Sequence, residues 1–249
     1  MRIGPIEFTT PPLVSGPTVV FKIFGLPVSI TVVTTWFIML LFFIFFRQAT
    51  KNLKMRPTKF QAFLEIIYEF LEKTIEQILG VWKNKYYTFF ATLFLFIFVS
   101  NIITFFPIPW FSFKDGVLTI YPAFRSPTAD LNTTVGLACI TTVMFVGASI
   151  KYNGIVGYLK GFASPTPIMI PMNIVGELAK PLNISMRLFG NMFAGMVIMG
   201  LLYMAVPWGI PAPLHLYFDL FAGAVQSFVF VTLSMVYVQG AIGDAEYIG

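Results

Sequence analysis

Residues 28–46 are apolar or hydroxylated throughout, and at a rise of about 1.5 Å per residue they are long enough to cross a hydrocarbon layer roughly 30 Å thick. Further apolar runs fall at 87–106, ending at Pro107 and Pro109, and at 130–150, starting after Pro127 with Asp130 as a candidate N-cap. Two longer ones follow at 168–206 and 214–240, separated by a turn rich in Pro and Gly from Pro207 to Pro213. The 168–206 run exceeds a perpendicular span, so its helix is expected to tilt or kink. Residues 60–79 follow another pattern. Phe60, Phe63, Leu64, Ile67, Leu71, Ile75 and Ile78 recur at helical spacing, while Glu65, Glu69, Glu72, Lys73 and Glu76 fill the opposite face. That segment reads as an amphipathic helix lying on the membrane surface. Its net negative charge argues against simple adhesion to anionic lipid, and a protein partner covers it at least as well.

The resulting expectation is an all-α integral membrane protein, one membrane domain over residues 1–249, with about five membrane-embedded helices and one amphipathic surface helix. Composition agrees: 57% of residues are hydrophobic, 29 are Phe and only 11% are charged. A soluble domain carries about 25% charged residues. Arg47, Lys51, Lys54, Arg56 and Lys59 directly follow the first span, which puts that end in the cytoplasm and the N-terminus outside. Lys151 and Lys160 mark the next cytoplasmic return, and the C-terminus with Asp244 and Glu246 ends inside. The net charge of +5 therefore reads as topology rather than nucleic-acid binding. Residues 1–29 have no clear signal-peptide pattern, so none is expected to be cleaved. The single cysteine, Cys139, excludes an internal disulfide and a multi-cysteine metal site, and is expected to be buried and inert. No metal and no cofactor are expected, no nucleotide-binding loop is present, and no internal repeat marks an inverted-repeat transporter.

Candidate chemistry concentrates in the last two long segments. From Leu188 to Gly243 the only fully charged side chain is Asp219, and Glu177, Lys180 and Arg187 precede it on the first of the two. Ionisable groups at membrane depth are costly and mark function by default. Arg187 carries most weight, because a guanidinium does not shed its proton and so needs an anion or water. Asn191 lies four residues on, over the same helical face, and Gly190, Ala194 and Gly195 keep that surface thin. At α spacing, Asp219, Gly223, Gln226 and Phe230 form one stripe. A cation, two amides and a carboxylate could thus line one hydrated seam. An internal Arg187–Asp219 ion pair or a snorkelling Arg187, and an interhelical hydrogen bond of Asn191 and Gln226 within the hairpin, are the structural alternatives.

The run Lys180-Pro181-Leu182-Asn183-Ile184-Ser185-Met186-Arg187-Leu188-Phe189-Gly190-Asn191-Met192 resembles the signature of subunit a of the F-type ATP synthase membrane sector. Pro127-Thr128-Ala129-Asp130-Leu131-Asn132 resembles a second motif of that family, and Gln226 with its apolar surroundings a third. The resemblance implies a non-catalytic, ion-translocating stator subunit whose long tilted hairpin faces the rotating c-subunit ring. Its partners would be that ring, the peripheral-stalk b subunits, the remainder of the synthase, the bilayer of the cell (inner) membrane and a translocated H⁺ or Na⁺. Two aqueous half-channels would reach the ring. Arg187 matches the family's essential arginine, which attracts the ring carboxylate and blocks ion leak. Asn191 and Gln226 match polar positions beside it, and Asp130 and Asn132 the external-side motif. Asp219 and Glu177 complete the expected ion pathway.

Two departures stand out. The best-known bacterial pattern has an acid after the Gly that closes this region, where this chain has Met196 after Gly195, and a His seven residues before the Gln, where it has Asp219. A histidine relay is therefore not expected, and His215 reads as an interfacial residue. With Met196 and Asp219 the motif resembles sodium-translocating synthases of anaerobic bacteria. A stand-alone ion transporter or channel is the competing reading.

Overall fold

The computed structural model describes residues 19–242 except 24–25, 52–53, 55–56, 106–108, 115–116, 123–124, 164–165, 206–212 and 215. The turn from Pro207 to Pro211, the acidic C-terminus with Asp244 and Glu246, the N-terminal 18 residues, Pro107 and His215 lie outside the described residues.

Helices dominate: α1 (Ile30–Lys51), α2 (Lys59–Leu79), α3 (Lys83–Ile102), α4 (Leu131–Phe162), α5 (Ile170–Ala205) and α6 (Gly223–Ile242), the last preceded by a π-helical turn, Leu216–Ala222. Among the described residues, five helical stretches are long and apolar enough to cross a membrane, with α2 and α3 counted as one continuous stretch. The apolar sides of α1 at Met39, Leu40 and Phe43 are exposed, as lipid contact requires. Hydroxyls inside the apolar helices bond the backbone one turn back, as Thr34 does to the Ile30 carbonyl and Ser234 to that of Phe230. That satisfies them without water. Two antiparallel hairpins add to the helices: β1 (Val19–Ile23) with β2 (Leu26–Ser29), and β3 (Pro109–Lys114) with β4 (Val117–Pro122). Neither was legible as a strand pair, since both fall in short stretches between spans.

Several helix ends differ from the apolar runs. α1 continues to Lys51 and α4 to Phe162, because polar and basic residues extend a helix beyond the layer that the apolar run fills. Within α4, Gly154 sits at φ 69°, ψ 165°, a backbone region essentially closed to other residues, and breaks the helix there. α5 carries Pro181, whose missing N–H leaves the carbonyl one turn earlier without its helical donor. Cys139 is exposed, not buried. It shares a helical face of α4 with the exposed Ile140 and Val143, on the outer side of that helix.

The chain forms two compact units. The first comprises Met1–Phe43, Phe96–Asp130 and Phe189–Ser227. Its interior holds a polar layer of Ser100, Asn101, Ser126, Thr128 and Ser227, all almost fully buried. The second comprises Ile44–Leu95, Leu131–Leu188 and Phe228–Gly249. There α2 starts at the N-cap Thr58, whose hydroxyl accepts from the Gln61 N–H, and ends at Gly80. Leu71 and Ile75 of α2 pack against Phe90 and Phe94 of α3 and Phe228, Val231 and Met235 of α6. Lys83, at the start of α3, bridges back to Glu72 at 3.0 Å and Glu76 at 3.2 Å. Glu69 pairs with Lys73 at 2.8 Å, which holds the Glu69 carboxyl below its usual range. The first half of the amphipathic face, Phe60 and Phe63, stays exposed.

Candidate functional site

In the second unit, α5 brings Glu177 and Lys180 together at 2.6 Å, one turn apart. The Lys180 ammonium also lies 5.2 Å from the Phe145 ring centroid and 5.6 Å from that of Tyr237, so aromatic faces supplement its carboxylate partner. The pair borders an open cavity of about 580 Å³ lined by α4, α5 and the end of α6, with Ser149, Asn153, Tyr158 and Asn173 among its walls. Asn153 donates to the Ala241 carbonyl at 2.9 Å and Asn173 to that of Phe162 at 2.8 Å, each amide tying one wall to another. The glycines Gly157, Gly161, Gly176 and Gly240 also line it, which leaves the space between helices unfilled.

Arg187, further along α5, is exposed. Its Nη2 donates to Asn183 Oδ1 at 3.3 Å, and it takes part in no ion pair among the described residues. It lies on an outward stripe of the helix with Asn183, Ala194, Ile198 and Leu201, spaced at helical intervals and all exposed. Asn132 is exposed in the first turn of α4.

The first unit holds the rest. Asp130, directly ahead of α4, accepts a hydrogen bond from the Thr31 hydroxyl at 3.0 Å. Burial pulls the guanidinium of Arg125 below its ordinary value and the charge of Asp130 opposes this, so the two groups are electrostatic neighbours. Asn191 Nδ2 donates to the Ala222 carbonyl at 3.4 Å, and Gly195 lies against Phe218, where an added Cβ would meet the ring at 3.5 Å. This joins α5 to the π turn. Gln226 is buried, and its Nε2 finds no partner among the described residues. Asp219 is half-buried within the π turn.

That placement corrects the stripe. Gly223, Gln226 and Phe230 share one buried face of α6, but α spacing does not extend back to Asp219, because a π turn takes an extra residue. Sequence reasoning also missed Asn101, whose amide is tied into α6, and Thr128. The signals were present: an amide near the end of an otherwise apolar span, and a Ser-Pro-Thr turn before α4.

Long apolar helices with an exposed guanidinium at Arg187 and, in the first unit, a buried polar layer define a multi-pass membrane protein with polar and charged groups on its spanning helices. The family described as ATP synthase A chain matches residues 32–239. The chain is 56% identical over 265 residues to "ATP synthase subunit a, sodium ion specific" of Propionigenium modestum, covering 99% of this chain and 92% of that protein. It is 33% identical over 222 residues to "ATP synthase subunit a" of Moorella thermoacetica (89% of this chain, 94% of that protein). Identity to "ATP synthase subunit a 2" of a Picosynechococcus species is 34% over 216 residues, covering 86% of each. The chain belongs to the ATP synthase A chain family. It serves as a stator subunit in ATP synthesis coupled to ion transport, and its partners are the rest of that complex and the transported ion.

Proposed function

We propose that this subunit carries the ion path to and from a ring of c subunits and that Arg187 is the cation that path turns on. The observation supporting this is the exposed guanidinium on the outer stripe of α5, with Asn183 as its neighbour and no carboxylate pair among the described residues. A permanent cation facing outward at membrane depth needs an anion from another chain. A mid-membrane carboxylate on the ring supplies one. Gln226, whose buried Nε2 has no partner among the described residues, offers a neutral donor to the same pathway, as does Asn191.

The cavity beside Glu177 and Lys180 fits the cytoplasmic half-channel, since Lys151 and Lys160 at that end of α4 are the basic residues expected inside. Asp130, Asn132 and Asp219 fit the external one. The N-terminus then lies outside and the C-terminus in the cytoplasm, with α2 turned to the peripheral-stalk b subunits. The transported ion is Na⁺: the 56% identical relative is named as sodium ion specific, and this chain carries Asp219 where a His-based proton relay has its histidine.

The whole complex in liposomes tests this. ATP hydrolysis should rise on adding Na⁺ at fixed pH, and Arg187→Ala should open a passive ion leak through an assembled membrane sector. Hydrolysis indifferent to Na⁺ assigns the path to H⁺. A leak-free Arg187→Ala complex with normal ATP synthesis overturns the role of the arginine.

A further inference from the structure

The π turn is the least explained feature of the molecule. π-helical turns are rare and cost hydrogen-bond geometry, so one persists only where its surroundings hold it. Here it occupies Leu216–Ala222 and gives way to α-helix at Gly223. Collapse of the turn into α geometry would remove one residue from it and rotate everything upstream by roughly 100° about the helix axis. Asp219 lies within the turn and Gln226 downstream of it, so their relative direction depends on how much of the turn between them is π-helical.

Two side-chain amides grip this junction. Asn101, fully buried near the end of α3, donates from Nδ2 to the Gly223 carbonyl at 2.9 Å and to the Ser227 hydroxyl at 2.9 Å. The Ser227 hydroxyl itself donates to the Gly223 carbonyl at 2.7 Å. Asn101 Oδ1 accepts from the Thr128 hydroxyl, which lies 2.6 Å from that of Ser126. Ser126 in turn donates to the Ser100 carbonyl at 2.8 Å. The amide is thus oriented at both ends. Asn191 adds a longer bond, 3.4 Å, to the adjacent carbonyl of Ala222. Steric fit reinforces the polar contacts: a Cβ added at Gly223 would stand 2.9 Å from Asn101 Cβ, so only glycine lets the two backbones approach this closely.

We propose that Asn101, oriented by Thr128, is the positioning residue that holds the π-to-α junction at Gly223 and so sets the rotation of Asp219 relative to Gln226. The proposal deepens the pathway reading above and rests on it for its consequence in transport. The clamp itself does not. Asn101 acts through the helix that bears Asp219 rather than on the ion itself. A buried amide that loses a partner leaves a donor or acceptor stranded in an apolar setting, so each bond of the network counts.

The test uses the assembled complex in a Cys139→Ala background, with single cysteines placed at 218, 219, 220 and 221 and a control at 236 on the exposed side of α6. Labelling rates with a small thiol reagent are compared in wild type and in Asn101→Leu, which keeps the branched shape and removes all three side-chain bonds. Rates within the π turn should change several-fold relative to one another while the rate at 236 stays fixed. Thr128→Val, which frees only Asn101 Oδ1, should give a weaker change of the same pattern, and Thr128→Ser should restore the wild-type pattern. If Asn101→Leu fails to assemble, the Thr128 pair carries the test alone. The same variants should raise the external ion concentration for half-maximal ATP synthesis several-fold at unchanged complex content, an effect that a passive tether does not produce. An unchanged labelling pattern in assembled complexes overturns the clamp. A changed pattern with unchanged ion half-saturation supports the clamp and overturns the pathway role of Asp219.

Discussion

Glu177 and Lys180 close an ion pair at 2.6 Å on α5, while Arg187, on the same helix two turns further, forms no ion pair among the described residues. The two cations are thus put to different use. Lys180 is compensated within the chain, and its charge is available only against its neighbour. In the proposed function, Arg187 keeps its charge for a partner outside the chain.

From this follows a prediction for the cavity. Glu177→Gln removes the partner of Lys180 and leaves an ammonium facing two rings and the cavity mouth. Stranding one member of a half-buried pair costs on the order of 1–3 kcal/mol. The expected result is slower ATP-driven ion transport at normal assembly, with Lys180→Gln in the same background recovering part of it. The measurement is ion uptake by inside-out vesicles at matched complex content. Equal rates in all three would remove the pair from the pathway.

Asp219→Asn is expected to slow ion entry from the external side while leaving the complex assembled. The amide keeps the size of the carboxylate and loses the charge that draws a cation into the membrane. The loss should be largest at low external ion concentration and shrink as it rises, which initial rates of ATP synthesis across an ion series would show. A uniform loss at every concentration would place Asp219 outside the entry path.

The spans and the cations were legible because both signals are local. An apolar run announces a helix without reference to anything distant, and Arg187 and Asp219 stand out because so few charges surround them. What stayed hidden was of two kinds. The π turn at Leu216–Ala222 defeats any reading that assumes 3.6 residues per turn, so Asp219 was set on the wrong face relative to Gln226. The bond from Asn101 to Gly223 joins positions 122 apart in sequence, and no spacing rule reaches that far. The exposure of Cys139 was missed because an apolar segment was equated with burial in protein, although an outer helical face in a membrane is equally apolar.

The acidic face of α2 supports cytoplasmic placement against a protein partner. Single cysteines at Glu69 and Glu76, both exposed, should react with a membrane-impermeant thiol reagent in inside-out vesicles and be shielded when peripheral-stalk subunits are present. Reaction only from the external side would reverse the topology.

Gly154→Ala tests the break in α4. At φ 69°, ψ 165° a side chain adds strain of about 1–3 kcal/mol. No atom crowds the site, so backbone geometry alone is at stake. The variant complex should lose thermal stability, with Gly147→Ala, in ordinary helix and equally uncrowded, as the neutral control. Indistinguishable melting of the two would mean the break carries no strain.

Arg187→Lys separates charge from chemistry. Lysine keeps a positive charge, so a purely Coulombic role survives the exchange. A guanidinium offers several donors in a fixed plane, is weakly hydrated and does not deprotonate. An ammonium moved out of water against a ring of apolar helices can shed its proton, and burial lowers a lysine pKa by up to several units. Neutral lysine neither draws in a carboxylate nor bars an ion from passing between half-channels. While it remains charged, its compact ammonium holds the carboxylate at a single point rather than across a fork. Asn183, whose Oδ1 now accepts from Nη2 at 3.3 Å, loses the orientation that the planar group gave it. Both effects act in the same direction, so Arg187→Lys is expected to abolish ion-driven ATP synthesis at normal complex content. The assay is ATP synthesis in liposomes under an imposed ion gradient, with passive leak recorded in parallel. Near-normal synthesis by the lysine variant would show that charge alone suffices and that the guanidinium contributes nothing further.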